Sequence, residues 1–449
     1  MLAESLDALG RIAAAAETAD GGHAGVVPAA DVALFDQLQQ LALAHHRVVD
    51  VQAPSASSGA AAFRSPASLA LDELYEISNP IDRSLCLALF LDAAPSYTLG
   101  YKEREQQLLD TVLNGDKPVS PELYSLYADN LRRAVDAVPS LSQDLAARFN
   151  ANLSRFAAYK AHEATSRIRQ AEDPGAARAT LRRYNSYQAA EYNTAVARTR
   201  TAKQWEKFSS DNNVRLFPNI RWIPSRSANP REAHQKFWNR IWPKDDPFWN
   251  ENTPGSLWNC KCDWEQTNRP ATDGNPTATV TAKGLSGNPA KTGQIFTSTP
   301  PEPGKPDFRH PYFAKAPEDA PTTVIRTVRD IFRDKHADDF VVFKTDIGKI
   351  LFDEITAIEI SKGAKTDASY FYKQEIALHF DEYVGQLNLV DPHQDIDSTH
   401  NNHNNKFYRR KAQFSCMRVY TLAINGYLFQ IKLGEFRTGG LHLYSITEP

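Results

Sequence analysis

The sequence predicts a multidomain α+β protein, and three observations lead to that fold class. The chain has 449 residues, more than one core usually holds, because domains commonly contain roughly 100 to 200 residues. Apolar residues recur at helical spacing through much of the N-terminal half, whereas the C-terminal end alternates like consecutive strands. We therefore expect a mainly α-helical N-terminal half, an irregular module rich in Trp and Cys, and a small C-terminal α+β domain with an antiparallel sheet.

The N-terminal half is predicted to contain two parts. Residues 1–65 are Ala-rich and include a stretch of Ser, Ala, Gly and Pro, so we expect a poorly ordered, partly helical segment. Residues 66–175 are expected to form a helical region. Ser120 and Pro121 are typical of a helix N-cap and first turn, and a second helix should begin near Ser142.

The predicted Trp/Cys-rich module spans residues 176–269. A third long helical pattern runs from about Ala176 through Phe208, after which the periodicity disappears. Six of the seven tryptophans follow within residues 214–266. That much aromatic area is not left in bare loops, so the segment should be compact although its regular structure is sparse.

A linker and a terminal domain are predicted to follow. Residues 270–321 contain 10 Pro and 5 Gly, a composition typical of an extended linker, which we place at 270–324. Residues 325–449 are expected to form the α+β domain. Within it, residues 340–352 form a strand pair, residues 367–390 form a helix, and Asn425-Gly426 supplies the turn of a two-residue hairpin.

The sharpest local feature is a pair of cysteines, Cys260 and Cys262, with His234 some 26 positions upstream. Two thiolates and an imidazole could provide three soft ligands of a tetrahedral zinc site, and Asp246 or Asp263 could complete it. The alternative interpretation is two ordinary reduced cysteines beside a structural tryptophan.

Several classes of function are not supported by the sequence. The longest apolar run, Leu85 to Leu91, has seven residues, far short of the roughly 20 needed to cross a bilayer. We therefore expect no membrane partner, and the acidic start of the chain argues against a secretory signal. No Gly-rich phosphate loop with its lysine is found, which argues against ATP-driven work.

Several motifs lie in register over about 80 residues, 184–266. They are the run 191–197, Trp205, Trp222, Arg231 with His234, the run 246–249 and the run 258–262. Together they resemble the signature of the phage Mu F-like minor head proteins, also called the phage head morphogenesis family.

The resemblance implies a phage virion component that works with the portal and other head proteins in head morphogenesis and DNA packaging. It implies a place in the virion head and, during assembly, in the host cytoplasm, with phage DNA as a further partner. By position it also implies that His234, Cys260 and Cys262 bind the metal.

The layout of residues 325–449 is similar to the barnase-EndoU-colicin-RelE-like nuclease modules. That likeness implies a metal-independent RNase, in which a base takes the ribose 2′-hydroxyl proton and a cation stabilises the charge on phosphorus. The candidate catalytic residues are His379, Arg410, Arg437, His442 and Tyr444.

The sequence is therefore consistent with three functions. The first is a structural minor head protein that carries an RNase-like domain. The second is a nuclease toxin or effector, in which the head module serves delivery and RNA is the substrate. The third is a catalytically silent adaptor that binds nucleic acid or another protein.

Overall fold

The fold is described from a computed structural model that covers residues 94–449 apart from 228, 229, 231, 337, 361–364 and 397–412, with side chains from residue 104 onward. The chain separates into two compact units, Met1–Gln107 and Leu108–Pro449. The predicted segment 1–65 and the candidate residues Arg231 and Arg410 lie outside the described residues. The predicted fold class is confirmed, because helices dominate the described part of the N-terminal half and a six-stranded sheet lies in the C-terminal part.

Helices build the described N-terminal half, and two of them begin at the predicted caps. The Ser120 hydroxyl accepts a hydrogen bond from the Leu123 N–H, and the Ser142 hydroxyl accepts one from the Leu145 N–H. Each cap satisfies a backbone donor that the first helical turn leaves free. The long helices are α1 (Ala94–Asn114), α2 (Pro121–Asp136), α3 (Gln143–Arg169), α4 (Pro174–Ser186) and α5 (Gln188–Phe208).

The predicted third helix is two helices, α4 and α5, which meet at Tyr187. The reason lies in the two residues before the break. The Ser186 hydroxyl donates to the Arg183 carbonyl at 2.8 Å, and the Asn185 side-chain oxygen accepts from the Gln188 side-chain amide at 3.2 Å. Short polar side chains that bond locally in this way compete with helix propagation.

The Trp-rich module is built on a small antiparallel sheet with its own core. Strand β1 (Asn219–Ile223) lies between β2 (Ile241–Pro243) and β3 (Asp263–Thr267). Short helices α6 (Asp211–Leu216), α7 (Glu232–Gln235) and α8 (Phe248–Glu251) fill the connections. The module is compact with little regular structure, as predicted, and its core comprises Trp205, Phe208, Ile220, Trp222, Phe237, Trp242, Phe248, Trp249 and Trp264.

The segment predicted as an extended linker is packed over residues 284–298 and 310–313, which corrects the prediction. Residues 270–279 are mostly exposed, but Leu285, Ile295 and Phe296 are fully buried. One-turn helices α9 (Pro289–Thr292) and α10 (Pro311–Ala314) are the regular structure there. The Asn152 side chain on α3 accepts from the Ile295 and Phe296 N–H groups and donates to the Phe296 carbonyl. The backbone of this segment is therefore held by hydrogen bonds to a side chain, where a β-strand would use hydrogen bonds to a neighbouring strand.

The C-terminal part combines helices with a six-stranded sheet of order β4-β5-β9-β8-β7-β6. Its strands are β4 (Phe340–Thr345), β5 (Gly348–Asp353), β6 (Asn388–Gln394), β7 (Phe414–Ile424), β8 (Tyr427–Phe436) and β9 (Leu441–Thr447). The helices are α11 (Ala320–Lys335), α12 (Glu354–Ile360), α13 (Asp367–Leu378) and α14 (Phe380–Tyr383), followed by a 3₁₀ turn, Val384–Gln386.

Most of the predicted strands are present, with two differences. The hairpin at Asn425-Gly426 forms with φ of 49° and 78°, the left-handed values that a type I′ turn requires. The sheet is mixed, since β5 and β9 pair in parallel. The helix predicted over 367–390 ends at Leu378, and Asn388–Gln394 is an edge strand that pairs with β7.

One hydrophobic core joins the helical and C-terminal parts of the unit Leu108–Pro449. It contains Phe149 and Phe156 of α3, Phe296, and Phe371 and Ile431 of the C-terminal part. Ion pairs cross the same contact, including Arg155 with Asp367 at 2.7 Å. Within the described chain, no helix combines the length and apolar character that spanning a membrane would require.

Candidate metal centre

Three soft ligands converge in the Trp-rich module. His234 lies on α7 and is fully buried, while Cys260 and Cys262 lie in the turn that precedes β3. The His234 Nδ1 atom is 3.3 Å from Cys260 Sγ and 3.8 Å from Cys262 Sγ. All three ligand atoms lie within 4.8 Å of one another. This group, predicted from the sequence, could hold a metal ion.

A strained turn and a neighbouring helix place the two thiols. Asn259 has a φ of 55°, a left-handed conformation that Asn tolerates better than most residues. Its N–H donates to the Thr194 hydroxyl on α5 at 3.1 Å, and the Cys260 N–H closes a turn onto Leu257. The helix α5 therefore anchors the backbone that carries both cysteines.

The imidazole of His234 is oriented by groups on its far side. Its Nε2 atom lies 3.2 Å from Ser256 Oγ and 3.4 Å from the Val280 carbonyl, and Ser256 donates to that same carbonyl. Since these neighbours offer acceptor oxygens, the proton belongs on Nε2. The Nδ1 lone pair then faces the sulfurs, which is the tautomer that binds a metal, with a hydrogen-bonded partner behind it. Ser256 was not predicted, because an isolated serine carries no signal in the sequence.

The electrostatics favour a thiolate at this group. A hydrogen bond from Cys262 lowers the pKa of Cys260 below that of an ordinary thiol, against the effect of burial. The same hydrogen bond and burial raise the pKa of Cys262, while Trp222 and Trp238 oppose the rise. The indole N–H groups of these two tryptophans are buried, make no other hydrogen bond with the described residues, and favour a charged sulfur at Cys262. A negatively charged sulfur, as in a metal-bound thiolate, is a good hydrogen-bond acceptor for such donors.

Asp246 does not join the group, so its assignment as a metal ligand was wrong. Its carboxylate accepts from the N–H of Phe248, the first residue of α8, at 2.8 Å. Asp263 is used locally as well, accepting from Gln204 and from the Trp264 N–H. Both carboxylates satisfy nearby donors. Among the described residues, the group that could hold a metal ion is therefore His234, Cys260 and Cys262, and a tetrahedral ion would need one further ligand.

The predicted catalytic residues do not form one site among the described residues. His379 follows α13, where its Nε2 lies 2.8 Å from Arg132 Nη1 and its Nδ1 lies 3.7 Å from Glu382. It therefore faces the helical part. Arg437 is exposed beyond the end of β8, where its Nε donates to the Phe414 carbonyl at 3.4 Å. Arg410 lies outside the described residues.

His442 and Tyr444 lie in the interior of the C-terminal part. His442 is fully buried, and its Nε2 contacts Asp353 Oδ1 at 3.0 Å. Tyr444 packs with Phe414 and Met417 in a small apolar cluster. The His442 contact links β9 to Asp353, the last residue of β5. Asp353 also accepts hydrogen bonds from the first N–H groups of α12. The burial of His442 could not be predicted from alternation along β9, because β9 is buried on both faces over nearly its whole length.

Comparisons with known proteins returned no match: no family model, curated protein or solved structure is significantly similar to this chain. The likenesses to head morphogenesis proteins and to nuclease modules therefore remain predictions.

Proposed function

We propose that this chain is a phage minor head protein whose Trp-rich module is stabilised by a structural zinc ion bound to His234, Cys260 and Cys262. The observation that carries the proposal is the convergence of an imidazole and two thiols from positions 26 and 28 residues apart. Binding free energy at such a site becomes folding free energy, which suits a module with short strands and one-turn helices.

A structural role fits this site better than a catalytic one. Zinc enzymes keep an open position for water or substrate, whereas structural sites are enclosed. Here His234 and Cys260 are 0% and 5% exposed. The Trp222 ring packs edge-on against the imidazole, with the ring centroids 5.1 Å apart. Such a module would present a rigid surface to the portal and to other head proteins, with packaged DNA as a further partner in the virion head.

Metal analysis of the full chain tests the zinc assignment. We expect about one zinc per chain by elemental analysis, and a Co²⁺-substituted sample should show thiolate-to-metal charge-transfer absorption. The double variant Cys260→Ser, Cys262→Ser should lose both the metal and the cooperative unfolding of Trp fluorescence. Asp246→Asn is the matched control and should keep the metal. A metal-free wild-type protein whose Trp fluorescence unfolds cooperatively would contradict the assignment.

The head-assembly role is tested in particles. In a phage that encodes this chain, mass spectrometry of purified heads should detect the wild-type protein and should detect far less of the double cysteine variant. If heads of normal composition and DNA content form without the chain, the assembly role is wrong even where zinc binding holds.

For the C-terminal part, one observation favours the silent adaptor over the RNase effector. The RNase proposal requires a titrating histidine beside cations in an accessible cleft, but His442 is fully buried and His379 faces the helical part. RNA incubated with the full chain should therefore remain intact at any protein excess. Cleavage that resists chelators and is abolished in Arg437→Ala would restore the effector proposal.

A further inference from the structure

Two tryptophans of the Trp-rich module carry buried indole N–H groups that the surrounding core does not use. Trp222 is fully buried on β1, and Trp238 is half-buried in the turn that follows α7. Neither Nε1 atom has an oxygen or nitrogen acceptor among the described residues. Buried polar groups nearly always find a hydrogen-bond partner, so both donors require an acceptor of another kind.

Other tryptophans of the same core are satisfied by ordinary acceptors. Trp249 Nε1 donates to the Pro243 carbonyl at 2.8 Å, and Trp264 Nε1 donates to the Gln204 side-chain oxygen at 2.8 Å. Both are buried in the same aromatic cluster as Trp222. The unused donors are therefore those of two tryptophans beside the candidate metal centre, and close packing of aromatic rings does not by itself produce them.

Strand register brings Trp222 to Cys262. Strands β1 and β3 are antiparallel, with Trp222 directly opposite Trp264. Residues directly opposite each other share a face of the sheet, and so do alternate residues along a strand. Cys262 stands two residues before Trp264, just ahead of β3. Its side chain therefore lies on the same face as the Trp222 ring, in the diagonal position.

A helical turn brings Trp238 to the same place. The turn of α7 continues beyond His234, since the Phe237 N–H donates to the His234 carbonyl and the Trp238 N–H donates to the Gln235 carbonyl. Residues four apart on a helical turn lie on one side of it, so Trp238 follows His234 toward the cysteines. Trp238 and Cys262 both pack against the aromatic cluster of the module.

The acceptor that both indoles share is the Cys262 sulfur. A hydrogen bond with Cys260 and burial raise the pKa of Cys262, and hydrogen bonds from Trp222 and Trp238 oppose that rise. The Cys260 sulfur has a donor of its own, the Cys262 N–H, at 3.4 Å. Several N–H donors around two sulfurs suit thiolates, because hydrogen bonds to a charged acceptor are the stronger ones.

We propose that Trp222 and Trp238 position Cys262 as a metal ligand by donating both indole N–H groups to its sulfur. Groups that hydrogen-bond a ligand orient it and tune the affinity of the site for metal. The two donors also stabilise the negative charge of a thiolate in surroundings that are otherwise aromatic. The inference rests on the zinc site proposed above and adds the residues that hold its second sulfur in place.

NMR of the full chain tests the two hydrogen bonds without any substitution. Protein labelled with ¹⁵N-tryptophan is loaded with ¹¹³Cd²⁺ in place of zinc, and the indole N–H signals of its seven tryptophans are recorded. Two indole protons should correlate with cadmium, because a proton donated to a metal-bound sulfur is coupled to the metal through that sulfur. Trp222→Phe should remove one of these signals and Trp238→Phe the other.

The two ways of failing are distinguishable in this experiment. Cadmium bound to the cysteines without any indole correlation would overturn this inference and leave the zinc assignment standing. A wild-type protein that takes up neither zinc nor cadmium would overturn both. The measurement on the wild type remains decisive if a tryptophan variant fails to fold.

Metal affinity and absorption test the consequence for the site. Trp238→Phe should weaken metal binding about tenfold in a chelator competition. It should also move the thiolate-to-Co²⁺ charge-transfer band to lower energy, because a sulfur that loses a hydrogen bond gives up its electron more readily. Trp264→Phe is the matched control: it makes the same substitution in the same core and removes the bond to Gln204, and it should leave the affinity and the band unchanged. Equal changes in both variants would overturn the proposal, because they would indicate a general loosening of the core.

Discussion

At the scale of single residues, buried charges explain how irregular segments keep their shape. Arg198 on α5 is fully buried and donates to the carbonyls of Leu285 and Gly287 at 2.7 and 3.0 Å. Lys160 on α3 is also fully buried and pairs with Glu191 at 2.5 Å. A charge removed from water must be hydrogen-bonded or paired with an opposite charge, or the fold loses several kcal/mol. Sequence periodicity treats all three residues as surface positions.

Lys373 on α13 allows a prediction about pH. Its side chain is fully buried, and burial lowers its pKa to about 8, against the opposing effect of Glu448 and Glu359. In the unfolded chain a lysine keeps its proton up to about pH 10.4. Above pH 8 the folded state therefore binds fewer protons than the unfolded state, so this lysine makes the free energy of unfolding rise with pH.

We expect Lys373→Met to remove that rise, on the order of 3 kcal/mol over the whole interval. Urea unfolding of wild type and variant at pH of about 7.5, 8.5 and 9.5 measures the free energy of unfolding. Taking the difference between the two proteins at each pH removes the contribution of the titratable groups that both contain. The two free energies should converge as the pH rises. A difference independent of pH would show that Lys373 does not titrate in this range.

At the scale of elements, local signals predicted the helix starts and the hairpin, but composition misjudged residues 270–324. Pro and Gly are abundant there because the chain turns often, and Asn288 and Gly293 cap one such turn, α9, at its two ends. The packing of this segment depends on partners far away in sequence, such as Asn152, which no local pattern reveals.

Substitutions in the exposed and in the packed part of that segment should differ in their effect on stability. Phe296 is fully buried and stacks on Phe156 with ring centroids 4.1 Å apart, so Phe296→Ala should lower the free energy of unfolding by about 3 to 5 kcal/mol. Thr277 is exposed, and Thr277→Ala should stay within about 0.5 kcal/mol of wild type. Denaturant unfolding monitored by circular dichroism measures both. A small effect of Phe296→Ala would restore the linker interpretation.

At the scale of the whole unit, the predicted terminal domain shares its core with the helices. Glu375 on α13 accepts from Arg132 of α2 and Asn150 of α3, at 2.9 and 3.0 Å. The Asp367 carboxylate accepts from both Arg155 and Tyr159, each at 2.7 Å. Separating the two parts would expose apolar surface and leave these carboxylates without their partners.

The fragment 325–449 should therefore fail to fold alone, whereas 94–449 should unfold cooperatively. We expect the short fragment to bind a hydrophobic dye and to show no sharp thermal transition, because its helices lose the surface they pack against. Calorimetry and dye binding of the two fragments make the comparison. A sharp transition in the short fragment would place an independent domain there after all.

The sequence by itself determined the fold class, the caps of two helices, the hairpin turn and the ligand group at His234, Cys260 and Cys262. These follow from short-range rules and from residue types that are rare enough to stand out. The tertiary structure alone decided that Asp246 lies apart from the His234, Cys260 and Cys262 group, that His442 is buried beside Asp353, and that Leu285, Ile295 and Phe296 belong to the core. Each of these depends on which distant backbone and side-chain groups meet, and neither spacing nor composition carries that information.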